Sequence, residues 1–234
     1  MKNQYFGDIN DYYKYGLIRK LTDGGKIRTA ICWMLTPDDS GNEGRRTDYL
    51  NQPKKWRHFD PELYDHLVVS RGIRNIRAIE SERILINCSF YSDILNGNSK
   101  KRCLYFEAFS RISSGSDLVF FDPDRGLEVK SIPYGRKSSS MYLYWREVVR
   151  FFTAGYSLLI YQHFPRVPRD QFILKTIKEL TNHTCFSTIY SFCTSNVVFL
   201  LVTQDGYREF FRNTAQAMAK VWGDRIKIKK HEID

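Results

Sequence analysis

The chain has 234 residues, 42% of them hydrophobic, which is enough to bury a core and excludes a disordered chain. Thirty-six Lys and Arg against 26 Asp and Glu leave a net charge of +10, which favours an anionic partner such as nucleic acid, a nucleotide or a membrane surface. The longest apolar run, Val197 to Val202, is far shorter than the roughly 20 residues of a membrane-spanning helix, and the N-terminal stretch has no apolar signal core. A cytoplasmic protein with no membrane partner is therefore expected.

In chain order, Asn10 or Asp11 caps a helix running to about Leu21, with Tyr13, Leu17, Ile18 and Leu21 on one stripe and Asp23-Gly24-Gly25 as its stop. Ile27 to Leu35 reads as a buried strand that ends in a polar loop containing glycine. Asp60-Pro61-Glu62 starts a helix to about Ser70. Short strands are expected at Asn75 to Glu80 and at Ser89 to Ile94, then a helix from about Lys101 to Ile112. Asp117 to Phe121 is a buried strand that ends at Asp122. A helix over Ser140 to Ala154, a strand over Tyr156 to Gln162 and a helix over Arg169 to Leu180 follow. Two apolar runs, Cys185 to Cys193 and Val197 to Thr203, flank Thr194-Ser195-Asn196 and read as an antiparallel hairpin. Tyr207 to Trp222 is helical, and Arg225 to Lys229 is a short last strand.

Strands alternating with helices, closed by a hairpin, predict a single α/β domain over residues 1–234 with a mostly parallel sheet. Ligands in such sheets sit beyond the carboxyl ends of the strands, near the switch point. That rule selects the loop after Leu35, Glu80 and the turn after Phe121. Cys32, Cys88, Cys103, Cys185 and Cys193 are odd in number and contain no CxxC pair, so they read as reduced, mostly buried thiols rather than a zinc ribbon or a disulfide framework.

The densest chemistry lies in Asp122-Pro123-Asp124-Arg125-Gly126-Leu127-Glu128-Val129-Lys130. An apolar strand that delivers two acids into a turn is costly unless those acids have partners; the plain alternative is a solvated turn punctuated by Pro and Gly. Gly7, Asp8, Asp11, Lys14, Tyr15 and Gly16 crowd charge and rings at a helix start, where ordinary capping is the competing explanation. The loop Thr36-Pro37-Asp38-Asp39-Ser40-Gly41, continuing through Gly44-Arg45-Arg46, offers backbone N–H groups to an adenosyl or phosphate group, though it has no GxGxxG. Glu80 ends the first of the short expected strands and Asp93 comes after the next apolar run, the place of an acid that accepts from ribose hydroxyls. His163 lies close to a strand end, and no two histidines have metal-ligand spacing. Lys54, Lys55 and Arg57 around Trp56 and Phe59, and Lys100, Lys101 and Arg102 beside Tyr105 and Phe106, mix cations and rings as phosphate contact plus base stacking requires. Solvated charge over core aromatics is the alternative there.

Gly7-x3-Asp11-x2-Lys14-Tyr15 before a helix, then a strand ending in a polar loop, then Asp122-Pro123 at a strand end, resembles RlmJ-type rRNA adenine-N6 methyltransferases and the related three-Cys-motif partner proteins. The likeness spans about residues 5 to 175 as an order of elements. It implies a Rossmann-like S-adenosylmethionine methyltransferase fold with a C-terminal hairpin. Lys14 matches the family's lysine near the cofactor, Thr36 to Gly44 the cofactor loop, Glu80 the ribose-binding acid and Asp122-Pro123 the start of the catalytic motif. The family's Asp-Pro-Pro-Tyr reads Asp122-Pro123-Asp124-Arg125 here, without the second proline or the ring that stacks on a flipped base.

Three functions fit. One is a nucleic-acid methyltransferase in which Asp122 orients the acceptor nitrogen. Another is a Mg²⁺-dependent nuclease built on Asp122, Asp124, Glu128 and Lys130, against which stands the short spacing from Asp124 to Glu128. The third is a binding protein of the same fold without catalysis.

Overall fold

The computed structural model describes residues 1–41, 44, 46–81, 83–184 and 188–232. Arg45 and Cys185, both named above, lie outside the described residues. In chain order the elements are α1 (Ile9–Leu21), β1 (Thr29–Cys32), α2 (Pro53–Trp56), α3 (Pro61–Val69), α4 (Arg77–Ser81), β2 (Cys88–Tyr91), α5 (Ser99–Ile112), β3 (Leu118–Phe121), β4 (Gly126–Leu127), β5 (Tyr142–Leu143), α6 (Trp145–Thr153), β6 (Ser157–His163), α7 (Arg169–Thr184), β7 (Thr188–Cys193), β8 (Val197–Val202), α8 (Arg208–Trp222) and β9 (Lys227–Glu232).

Among the described residues, seven strands form one sheet in the order β2-β1-β3-β6-β8-β7-β9. The β1–β2, β1–β3 and β3–β6 pairs are parallel, whereas β6–β8, β7–β8 and β7–β9 are antiparallel. Five of the seven strands thus run the same way. The chain skips a slot to lay down β7 and returns through β8 to fill the gap, so the expected hairpin joins the sheet through its second strand. Lys227, Lys229 and Lys230 on β9 put charge along that edge, which disfavours further strand pairing.

Alternation along the strands builds two cores. Ile31, Leu118 and Phe120 face α1, α3 and α8, while Ala30, Cys32, Val119 and Phe121 face α5, α6 and α7. Burial on both faces explains why the central strands read as unbroken apolar runs. Gly16 on α1 meets the Trp222 indole of α8, which leaves no room for a Cβ.

Three expectations fail for local reasons. Residues 75–80 are not a strand. Asn75 Oδ1 accepts from the Arg77 N–H at 3.0 Å and starts α4, and Ile76 and Ile79 are buried at helical spacing. The helix expected from Ser140 begins only at Trp145, because Tyr142–Leu143 pairs with Gly126–Leu127 as a short parallel ribbon. Among the described residues the four thiols are free, but only Cys32 is buried: Cys88 and Cys193 are half-buried and Cys103 is exposed. No helix among the described residues is long and apolar enough to cross a membrane.

Candidate functional site

β1 leads to β2 on one side and the chain then crosses over to β3 on the other, so the switch point lies between the carboxyl ends of β1 and β3. Asp122 emerges there. Its N–H donates to Cys32 O at 3.0 Å and its residue is 1% exposed. Its carboxylate accepts from Lys14 Nζ at 2.6 Å, and the same ammonium donates to Asp11 Oδ1 at 2.8 Å. Lys14 and Asp11 sit one turn apart on α1, a helix capped by Asp8. The rings of Tyr161, Tyr15 and Trp33 stand 5.2, 5.8 and 5.9 Å from the Lys14 nitrogen.

The electrostatics follow from one cation shared by two carboxylates in a water-poor site. Burial pushes the Asp11 carboxyl up to about 6, although Lys14 pulls against it. Burial alone would lower the Lys14 ammonium, but Asp11 and Asp122 outweigh it and hold the group above its usual range. Lys14 therefore stays charged at neutral pH and fixes the Asp122 carboxylate in place.

The space above this cluster is filled by the N-terminal residues. The Met1 amino group donates to Asp122 O at 3.1 Å and lies 3.8 Å from Asp124 Oδ1; burial is the main cause of its lowered pKa. The Met1 thioether lies 3.7 Å from Lys14 Nζ. Met1 O accepts from the Thr36 N–H at 2.9 Å, Asp38 Oδ1 accepts from the Gln4 N–H at 3.1 Å, and Asp39 pairs with Lys2. That ion pair is the main reason Asp39 is held at about 2. Asp39 also accepts from the Gly41 N–H at 2.9 Å. The polar groups of the Thr36 to Gly41 loop thus answer residues 1–4. Met34, just before this loop, has φ of +47°, a left-handed backbone that a long side chain rarely adopts.

The turn after Asp122 is held by a residue that sequence reasoning passed over. Gln162 on β6 accepts through Oε1 from the Leu127 N–H at 2.7 Å and donates through Nε2 to Arg125 O at 3.3 Å. Gly126 between them has φ of +119°, and a Cβ there would collide with the Gln162 amide. A glutamine directly after the apolar stretch Leu158 to Tyr161, still within the strand, was the available signal.

Other expected site residues fall elsewhere. Glu80 lies on α4, not at a strand end, and accepts from Trp33 Nε1 at 2.8 Å, so the ribose-acid placement on Glu80 is corrected. It borders a cavity of about 720 Å³ shared with Arg28, Arg83 and Asn87, toward the amino ends of β1 and β2. Asp93 lies two residues past the carboxyl end of β2, where the rule puts that acid. Glu128 accepts from the Trp145 N–H at 2.8 Å, and Lys130 is exposed, so the carboxylates of the nuclease constellation do not converge; no group of three metal-ligating side chains forms among the described residues. Tyr161 OH and His163 Nε2 are hydrogen-bonded at 3.0 Å.

The two basic clusters also divide. Arg102 is fully buried and grips Glu147 at 2.6 and 2.7 Å, which removes it from any nucleic-acid surface. Arg57 pairs with Asp65 at 2.7 Å. Lys54, Lys55, Lys100 and Lys101 are exposed, but Trp56, Phe59, Tyr105 and Phe106 beside them are core residues and cannot stack on bases.

No protein-family model matches the chain, and no curated protein is significantly similar to it. A similar solved structure is that of protein LPL1258 from Legionella pneumophila str. Philadelphia 1, described under the family model DUF519. It is 11% identical, covers 97% of this chain and 98% of its own, and superposes with a TM-score of 0.45.

Proposed function

We propose that this chain is an S-adenosylmethionine-dependent methyltransferase that acts on nucleic acid, with Asp122 as the group that engages the acceptor. The observation that carries the reading is the Asp11–Lys14–Asp122 cluster buried at the switch point. Burying two carboxylates on one ammonium costs free energy that the fold does not need there, and such clusters concentrate at functional sites.

The reading is supported by Met1, which brings groups like those of the methionine end of the cofactor to this place. An amino group sits against Asp122 O and Asp124, and a thioether sits beside Lys14. Asp93 is placed for ribose hydroxyls and the Thr36 to Gly41 backbone for the remaining polar groups. S-adenosylmethionine would supply an electrophilic methyl group at this point. Asp122 then accepts a hydrogen bond from the acceptor amino group and turns its lone pair toward the methyl carbon, a task of positioning more than of proton transfer. Lys14 holds the Asp122 carboxylate in its orientation. Pro123 and the Gln162-held turn fix the backbone that follows. Residues 1–2 must leave the crevice before cofactor enters.

Transfer of a radiolabelled methyl group from S-adenosylmethionine to total cellular RNA and DNA tests the reading. Label should appear in one of them with wild-type protein and be lost with Asp122→Asn. Cofactor binding without label in either polymer would point instead to the binding-only member of the fold.

A further inference from the structure

The same edge of the sheet carries a second feature, three residues further along β6. Tyr161 flanks the Lys14 cluster, Gln162 holds the turn after Asp122, and the chain then leaves the sheet at Phe164. Extended chain of that length spans about 10 Å. Phe164 N–H donates to Asn196 O at 3.3 Å, which ties the end of β6 to the β7–β8 turn. Between them lies a cavity of about 440 Å³ bordered by Phe164, Arg166, Arg169, two prolines and the Ser195-Asn196 turn.

Its chemistry is cationic and planar. Arg166 is exposed, and Arg169 lays its guanidinium 5.1 Å from the Phe164 ring centre while bonding to Ser195 O. Exposed Arg125 stands at the Asp122 side and exposed Lys227, opposite Cys193, at the far side. Exposed Asp170 follows Arg169 in the first turn of α7. Cations that follow a groove beside an aromatic–arginine stack match a single strand, whose phosphates meet the charge and whose unpaired bases meet the planes. A duplex would keep its bases stacked, away from the buried Asp122.

The geometry points to this cavity, bordered by Arg166 and Arg169 and reached from Asp122 past Arg125, whose carbonyl is bonded to Gln162, as the docking track for the single-stranded nucleic acid that flanks the acceptor nucleotide. The inference rests on the methyltransferase reading for the acceptor, but the track binds nucleic acid whether or not cofactor is bound.

Fluorescence anisotropy with labelled single-stranded RNA and DNA of about a dozen nucleotides, and with their duplexes, tests it without cofactor. Wild-type protein should bind one single strand at least roughly ten-fold more tightly than the matching duplex, the two strand arms separating RNA from DNA. Arg166→Glu should weaken that binding by roughly ten-fold and lower the salt slope by about 1. Lys26→Glu, an equal charge change at an exposed residue beyond the opposite edge, should alter it less than about two-fold. Equal losses in both variants, no loss with Arg166→Glu in protein that melts like wild type, no binding of any oligonucleotide, or equal competition by polyglutamate would each overturn the track. A failure to bind S-adenosylmethionine with strand binding intact would overturn the methyltransferase reading alone.

Discussion

Two buried cations in this molecule differ in what surrounds them. Arg102 on α5 makes four hydrogen bonds with its five N–H donors: to both oxygens of Glu147, to Ser139 O at 2.9 Å and to Tyr142 O at 2.6 Å. Charge balances one to one, and the contacts tie α6 and the segment before it to α5. Lys14 instead serves two carboxylates, and rings close it in. The cluster lies at the switch point, covered by Met1. The first arrangement is a clamp. The second is a site, and burial alone does not distinguish them.

The strongest way to break that contrast is Arg102→Ala. It strands a buried Glu147 carboxylate, already raised mainly by burial, and should cost about 3–5 kcal/mol in chemical denaturation at neutral pH. S-adenosylmethionine affinity of the remaining folded protein should not change. Lys14→Met should cost about 3 kcal/mol and also abolish cofactor binding, so calorimetry on both variants separates clamp from site. An Arg102→Ala protein that stays folded yet loses cofactor would erase the distinction.

Gly126→Ala, which must strain a left-handed backbone and displace Gln162, should cost about 2 kcal/mol by thermal melting. Asp11 sharpens the comparison through pH. Its carboxyl titrates near 6 when folded against 3.8 unfolded, so the native state holds the extra proton between those values. This contribution to stability is present below about pH 4 and is lost as pH rises toward about 6. Asp11→Asn should flatten that fall in melts taken across the window. The smallest effect belongs to Lys2→Ala, which removes the ion pair from residue 2 to Asp39 and should tighten S-adenosylmethionine binding by a few-fold.

Much of this was legible in the residues. Leu118 to Phe121 and Val197 to Val202 are apolar on both faces because the sheet is covered on both, so continuous runs marked the central strands. Asp122 could be placed because the strand rule needs only the end of an apolar run. Lys14 and Asp11 were visible as charge in an aromatic-rich helix start, but their meeting with Asp122 spans 108 residues and no local pattern encodes it. Glu80 was misplaced because Ile76 and Ile79 satisfy a short strand or a helix equally well in six residues, and the Asn75 cap decided it. Arg102 looked like surface because a basic run usually is; its partner Glu147 is 45 residues away.

Calorimetric titration of the purified protein with S-adenosylmethionine, repeated on Lys14→Met and Asp122→Asn, tests the central claim most directly. Micromolar binding in the wild type that is lost with Lys14→Met and weakened with Asp122→Asn is the predicted result. No heat of binding at millimolar ligand, in wild type and in Lys2→Ala alike, would contradict it.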